Sequence, residues 1–134
     1  MTKLRVVVFG LVSAAVLAWA VPAMAHPAKA SGTTVTVTAG KPSEFAFTLS
    51  TKSVATGSVT FKVTNKGALA HTFFVCSANT GGSANKCAGK GTAQISPGAS
   101  ATLTISFTKT GSYEYLCTVP GHAAAGMKGD LKVT

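Results

Sequence analysis

The chain has 134 residues, a length that fits one domain with a modest hydrophobic core. It is strongly basic, with twelve Lys and Arg against three Asp and Glu and a formal net charge of +9 at pH 7. Eleven of the twelve basic residues are scattered Lys, which lack the planar fork that Arg uses on phosphates and bases, so the composition argues against nucleic-acid recognition.

Residues 1–25 have the layout of a secretory signal peptide. Two basic residues precede an uncharged, mostly apolar run over residues 6–21, and Ala-Met-Ala at 23–25 provides a small-x-small cleavage site. We therefore predict export to the periplasm or the extracellular space and a single mature domain over residues 26–134. The alternative is an uncleaved membrane anchor, because the apolar run is close to the minimum length that spans a bilayer.

Without this segment the chain carries ten Lys, no Arg and three acidic residues, which gives a net charge of +7. Export also argues against nucleic acid as a partner. The remaining charge predicts either a soluble, self-repelling surface or a field that steers an acidic protein or an anionic membrane toward the molecule. Charge alone does not choose between these.

Short runs with period-2 alternation follow one another along the predicted mature chain. Residues 33–39 and 58–64 alternate strictly, and the run over residues 43–49 places Phe45, Phe47 and Leu49 on one face. Further strands are predicted over residues 69–75, 101–107, 113–118 and 128–133. Because each strand buries one face and no amphipathic helix is evident, we predict an all-β fold, a Greek-key β-sandwich of seven to eight strands.

The C-terminal sequence YLCTVPGHAAAGMKGDLKVT places Cys117, His122 and Met127 at intervals of five residues. Period 2 puts Cys117 on the same face as Tyr113 and Tyr115, which points it into the core. The Pro-Gly pair that follows predicts a turn, with His122 and Met127 on the loop after it. A thiolate at a strand end and two further donors on one loop make a compact but incomplete metal site.

A fourth donor is available in the middle of the chain. His71 lies in the apolar segment LAHTFFV, just after the turn predicted at residues 65–67, and can reach across one end of the sandwich. Two imidazoles, one thiolate and one thioether are the donors of a type 1 copper site. Taken singly, His71 would be an ordinary buried histidine, Met127 core filler and Cys117 a small buried apolar residue. Their joint occurrence favours a metal.

These segments resemble the cupredoxins, the type 1 blue copper proteins of azurin and plastocyanin type. NKGALAHTFF is similar to the strand that carries the family's first ligand, and YEYLCTVPGHAAAGMKGDLKV to its ligand loop and closing strand. The Cys-Thr-x-Pro-Gly-His motif is most similar to that of azurins, whereas the Cys-x4-His-x4-Met spacing is that of rusticyanin and auracyanin. The resemblance implies one type 1 copper ion bound by His71, Cys117, His122 and Met127.

Two positions beside the first histidine depart from the family pattern. Many relatives have Asn after that histidine, where it helps to tie the two ligand segments together. This chain has Thr72, whose hydroxyl is a candidate substitute. Azurins have Gly before that histidine, with its carbonyl near the metal. This chain has Ala70, and we do not predict a fifth contact.

The resemblance also bears on the odd number of cysteines in the predicted exported chain. If Cys117 binds copper, Cys76 and Cys87 remain to pair around the Gly/Ser/Asn-rich segment 78–91, which is predicted to be a loop. A Cys76–Cys117 bridge with Cys87 free is the alternative, and it would remove the thiolate from the ligand set.

A copper ion held by four protein donors implies a one-electron carrier, with no substrate at the metal and no enzyme activity. We expect electrons to pass through the imidazole edge of His122. The surface around it is predicted to consist of small apolar neighbours: Val119, Pro120, Ala123, Ala124 and Ala125. The expected partner is a redox protein with an acidic docking surface, such as a c-type cytochrome or a membrane-bound oxidase or reductase, and the protein itself is expected to be a monomer.

Other functions fit parts of this pattern. A copper carrier or storage protein would use the same donors in a labile, open site and is the leading alternative. A catalytic copper domain would need a further site built from histidines, and the whole chain has three. A zinc enzyme fits less well because Met is a poor ligand for zinc, and cysteine-protease chemistry lacks an evident orienting Asn.

Overall fold

A computed structural model describes residues 32–77 and 87–134, and the predicted signal peptide over residues 1–25 lies outside them. The described residues contain nine β-strands. In chain order these are β1 (Thr33–Ala39), β2 (Phe47–Leu49), β3 (Ser53–Val54), β4 (Gly57–Asn65), β5 (Phe74–Cys76), β6 (Gly89–Gly91), β7 (Ser100–Phe107), β8 (Gly111–Leu116) and β9 (Lys128–Val133). Within these two stretches, no helix has the length and hydropathy needed to cross a membrane.

The strands form two sheets whose inner faces share one hydrophobic core. The first sheet has the order β2-β1-β4-β7 and the second the order β3-β9-β8-β5-β6. The β1–β4 and β3–β9 pairs are parallel, and the remaining pairs are antiparallel. Because successive strands pass repeatedly from one sheet to the other, the all-β sandwich prediction is confirmed.

The alternation in the sequence decides which side chains fill this core. Along β1, Val35 and Val37 are buried while Thr36 between them is exposed, and β4 repeats the pattern with Val59 and Phe61. Tyr115 of β8 is among the residues of the second sheet that pack against them. Burying a side chain of this size contributes about 1.5–3 kcal/mol, so the alternation fixes the register of each strand.

One end of the sandwich gathers the strand ends that matter for function. In the first sheet Ala39, the last residue of β1, pairs with Asn65, the last residue of β4. In the second sheet the end of β8 pairs with the start of β9. Ala39 also packs in one buried cluster with Cys117 and Met127. The loops that carry the predicted donors therefore meet at this end.

The prediction of seven to eight strands was too low because two short strands were missed. β3 has only two residues, too few for a periodic pattern to be recognised. β6 is Gly-Lys-Gly, which lies inside the segment 78–91 that was predicted to be a loop, and it pairs with β5. Glycine has low strand propensity, so its pairing here depends on the neighbouring strand.

The predicted strand over residues 43–49 was also wrong in its first half. Only Phe47–Leu49 forms a strand, while residues 42–43 form a bend and residues 44–45 a turn. Phe45 does not join Phe47 in the core: its side chain is 36% exposed and packs against His122. The run 69–75 is likewise shorter than predicted, with a strand only at Phe74–Cys76 and His71 in an isolated bridge.

Cys76 and Cys87 form a disulfide, so the predicted pairing is confirmed and Cys117 remains a free, buried thiol. Cys76 is the last residue of β5, and Cys87 lies just before β6. The bridge therefore crosses the connection between two paired strands. With a sequence separation of 11, such a bridge contributes about 2–3 kcal/mol by restricting the unfolded chain.

Candidate metal centre

His71 is held at the metal end of the sandwich by its own backbone and by a buried amide. Its N–H donates to the Ile95 carbonyl at 3.1 Å, and the Ile95 N–H donates to the His71 carbonyl at 2.7 Å. The Asn65 side chain donates from Nδ2 to the carbonyls of Leu69 at 2.7 Å and Ile95 at 2.9 Å. These bonds fix the segment on both sides of a fully buried imidazole.

Cys117, His122 and Met127 are connected through the backbone of the segment between β8 and β9. The Cys117 N–H donates to the Met127 carbonyl at 3.0 Å, and the Met127 N–H donates to the His122 carbonyl at 2.9 Å. The His122 N–H donates to the Val119 carbonyl at 3.1 Å, which closes the predicted turn. Gly121 within that turn has φ of +83°, a conformation that glycine adopts without strain.

The donor atoms of His71, Cys117 and His122 converge, and we call these three residues the donor cluster. Their donor atoms all lie within 4.8 Å of one another, and all three residues are buried. His122 Nδ1 is 3.2 Å from His71 Nδ1 and 3.6 Å from Cys117 Sγ. Met127 is fully buried and packs in the same apolar cluster as Cys117. The fold thus brings all four predicted donors to one place.

The protonation of His122 suits metal binding. Burial lowers the pKa of His122 below its usual 6.5, and the neighbouring His71 lowers it further, while Glu44 opposes them. The imidazole is therefore neutral at pH 7. A neutral imidazole has a free lone pair on one nitrogen, which a metal ligand requires.

Glu44 is a contact of the cluster that the sequence did not reveal. Its Oε1 accepts a hydrogen bond from His71 Nε2 at 2.9 Å. The N–H groups of Ala68 and Leu69 donate to Oε2 and Oε1, each at 2.9 Å. These two backbone bonds, assisted by His71, lower the pKa of Glu44 to about 2 although burial opposes them.

Thr72 links the two segments that carry the donors. Its Oγ1 accepts the Thr118 N–H at 2.7 Å and lies 2.8 Å from Thr118 Oγ1. Its own N–H donates to Cys117 Sγ at 3.4 Å. The hydroxyl, a candidate substitute for the family's Asn, therefore does connect the two ligand segments, and the thiol sulfur receives a backbone hydrogen bond.

One of the residues predicted to form the exposed surface around His122 is buried instead. Pro120, Ala124 and Ala125 are exposed and Val119 is half-buried. Ala123 is instead completely buried, because the turn folds it inward against Leu116 and Cys76. Phe45 was not predicted to lie beside His122, but its ring meets the His122 ring edge-on with centroids 5.0 Å apart.

Comparison with known proteins identifies the family to which the chain belongs. Residues 32–134 match the copper-binding proteins of the plastocyanin/azurin family. The chain belongs to this family. The match covers all the described residues, and the cupredoxin resemblance drawn from the sequence is confirmed.

Two curated relatives match short segments of the chain closely. Auracyanin-B of Chloroflexus aurantiacus is 49% identical over 43 residues, which are 32% of this chain and 18% of that protein. The copper-resistant cuproprotein CopI of Pseudomonas aeruginosa is 51% identical over 39 residues, 29% of this chain and 22% of that protein. The aligned segments thus span only about a fifth of these relatives.

Solved cupredoxin structures match the chain over most of its length. Auracyanin B superposes with a TM-score of 0.64 at 27% identity, covering 76% of this chain and 88% of that one. Rusticyanin from Thiobacillus ferrooxidans superposes with a TM-score of 0.56 at 30% identity, covering 78% of this chain and 79% of that one. The two-sheet architecture is therefore that of the family.

Copper is the metal of this family, and the residues at the metal end fit it. Two imidazoles and one cysteine sulfur converge from two separate chain segments, and a thioether is buried beside them. This mixture of donors selects copper over the oxygen-seeking divalent metals. His71, Cys117, His122 and Met127 are thus positioned for a type 1 site.

Proposed function

We propose that the protein is an exported blue copper protein that carries single electrons between redox proteins. In this proposal His71, Cys117 and His122 would hold one copper ion together with the thioether of Met127. The observation that supports it most strongly is the convergence of the donor cluster within 4.8 Å in a buried environment.

The chemistry of these donors explains why an electron carrier is favoured. Cu(I) prefers soft, low-coordinate surroundings, whereas Cu(II) prefers nitrogen and oxygen donors in a tetragonal arrangement. Two imidazoles, a thiolate and a thioether lie between these preferences, so a copper ion held by them would need little rearrangement when its oxidation state changes. The hydrogen bonds of Thr72 and Asn65 hold both ligand segments in place. Four protein donors also leave no open position for a substrate, which argues against an enzyme.

Electrons would enter and leave at the edge of His122. Pro120, Ala124 and Ala125 lie exposed around it, with Phe45 packed against the ring. A small, mostly apolar surface of this kind supports the brief, weak association of redox partners. The basic surface would steer an acidic partner, such as a c-type cytochrome or a membrane-bound oxidase or reductase, toward this site. In this proposal the protein acts as a monomer, in the periplasm or outside the cell.

Protein-film voltammetry of the copper-loaded protein tests the proposal. We expect one reversible one-electron couple and rapid electron exchange with a small c-type cytochrome. The Cys117→Ser variant, which keeps the volume but removes the thiolate, is the matched control and should lose the fast couple. A wild-type protein that binds copper but shows no reversible couple would contradict the electron-carrier function.

A second candidate function is the carriage or storage of copper. Two curated relatives are named copper-resistant cuproproteins, that of Rubrivivax gelatinosus being 44% identical over 43 residues. This function requires that the ion leave readily. Copper transfer from wild-type protein to a strong chelator within seconds would favour it, as would a Met127→Ala variant that releases copper without any change in electron-transfer rate.

A further inference from the structure

We propose that Glu44 is a positioning residue of the copper centre. Its carboxylate holds His71 in the tautomer that presents Nδ1 to the metal, and its negative charge favours Cu(II) over Cu(I). This inference rests on the proposed function, because it concerns the same ligand set.

The tautomer follows from the hydrogen-bond partners of His71. A neutral imidazole carries one N–H, and an ionised carboxylate can only accept. Since Glu44 Oε1 lies 2.9 Å from His71 Nε2, the proton belongs on Nε2. Nδ1 then keeps its lone pair, and it is this atom that lies 3.2 Å from His122 Nδ1 inside the donor cluster. The ring is therefore oriented for a metal before any metal arrives.

The carboxylate is itself held in a single orientation. Oε2 accepts the Ala68 N–H and Oε1 accepts the Leu69 N–H, each at 2.9 Å. Both donors belong to the loop that leads into His71, so the carboxylate and the histidine it orients are tied to the same segment. A carboxylate held this firmly orients a metal-binding histidine better than a mobile side chain does.

Gly67 gives independent support, because the contact needs a glycine there. A Cβ added at Gly67 would lie 2.5 Å from Glu44 Oε1 and 2.9 Å from His71 Nε2, closer than side-chain carbons approach such atoms. The Gly67 backbone is fixed in turn by its N–H, which donates to Asn65 Oδ1 at 2.9 Å. The loop thus leaves a space that the carboxylate–imidazole pair fills.

The charge of Glu44 has a predictable effect on the metal. A carboxylate bonded to the far nitrogen of a ligating imidazole raises the basicity of that ligand. A more basic ligand and a nearby negative charge both stabilise the more highly charged ion. Cu(II) gains more than Cu(I), so Glu44 lowers the reduction potential of the site.

The test compares Glu44→Gln with Asp130→Asn. Gln keeps the shape and one acceptor oxygen but removes the charge, whereas Asp130→Asn removes the same charge from an exposed position on β9. For Glu44→Gln we expect the visible band to persist, the Cu(II) affinity to fall by roughly tenfold or more, and the Cu(I) affinity to change less. A tenfold change in the ratio of the two affinities raises the potential by about 59 mV. Asp130→Asn should shift it far less.

Two further measurements keep the outcome clear. In the metal-free wild-type protein, long-range ¹H–¹⁵N NMR spectra of the imidazoles should show His71 protonated at Nε2, and protonation at Nδ1 instead would overturn the proposal without any variant. Glu44→Asp should recover part of the lost Cu(II) affinity. Equal potentials for Glu44→Gln and Asp130→Asn would also overturn it. If the two variants have equal potentials but the wild-type protein shows the visible copper band, only the role of Glu44 is wrong and the proposed function stands. If the wild-type protein lacks the visible band, the proposed function itself is contradicted.

Discussion

His71 Nδ1 and His122 Nδ1 lie 3.2 Å apart although 51 residues separate them in the chain. The approach depends on two connections between their segments: the Thr72 hydroxyl bonds to Thr118, and the Thr72 N–H bonds to Cys117 Sγ. The two imidazoles and the buried thiol beside them have the arrangement that a shared metal ion would require.

A charge at Ala124 is expected to slow electron exchange. Self-exchange requires two molecules to meet through the same surface, and Ala124→Lys would place like charges opposite each other there. We expect the self-exchange rate, measured by NMR line broadening in mixtures of the two oxidation states, to fall about tenfold or more. Ala55→Lys is the matched control, since Ala55 is exposed beside β3 at the other end of the sandwich. Equal rates for the two variants would argue against this surface.

Replacing Met127 by Leu should raise the reduction potential and leave the protein folded. The two side chains have similar volumes, so the fully buried site should lose less than about 1.5 kcal/mol of stability. Cu(I) tolerates a low coordination number better than Cu(II) does, so losing one donor should destabilise Cu(II) more. A tenfold change in their affinity ratio corresponds to about 59 mV. Voltammetry measures the shift. An unchanged potential would show that the Met127 sulfur does not interact with the metal.

The Thr72 hydroxyl should contribute measurably to stability. Thr72→Val keeps the shape but leaves the Thr118 N–H, which now bonds to Oγ1 at 2.7 Å, without its acceptor. Leaving a donor unsatisfied in this part-buried position costs about 1–3 kcal/mol. Thr72→Ser retains the hydroxyl and should lose clearly less. Urea unfolding of the metal-free proteins measures both, and equal stabilities of the Val and Ser variants would be inconsistent with this link.

Acid should destabilise the metal-free protein in two stages. The pKa of His122 lies below its usual 6.5 because of burial, so the unfolded chain takes up a proton there first and stability begins to fall below about pH 6.5. The pKa of Glu44 is lowered from 4.5 to about 2 by its backbone hydrogen bonds, so its contribution is present above pH 4.5 and is lost as the pH falls toward 2. Urea unfolding from pH 7 to 3 should show both stages, and Glu44→Gln should lack the second. A second stage that persists in this variant would contradict the assignment.

The regular strands and the ligand motif could be predicted from the sequence. The predicted bounds of the first and last strands, 33–39 and 128–133, coincide with β1 and β9 because the alternation of apolar and polar residues is a local property. The donors were found because three of them lie within eleven residues, where chain connectivity alone keeps them close.

What the sequence did not reveal depends on contacts between distant segments. Glu44 meets His71 across 27 positions, and nothing near Glu44 in the sequence indicates that its carboxylate turns toward the loop before His71. The period-2 alternation predicts a core position for Phe45. Glu44 and Phe45 instead lie in a turn, where the Phe45 ring packs against His122. Ala123 looked exposed because its neighbours are, yet the turn after Pro120 packs it inward.

The most direct measurement is the visible absorption spectrum of the copper-loaded protein beside that of its Cys117→Ser variant. The donor cluster predicts an intense thiolate-to-Cu(II) band in the wild-type protein, which disappears when ascorbate reduces the metal and is missing from the variant. A pale wild-type protein, or two proteins with the same spectrum, would mean that the Cys117 sulfur does not bind copper and that no type 1 centre forms.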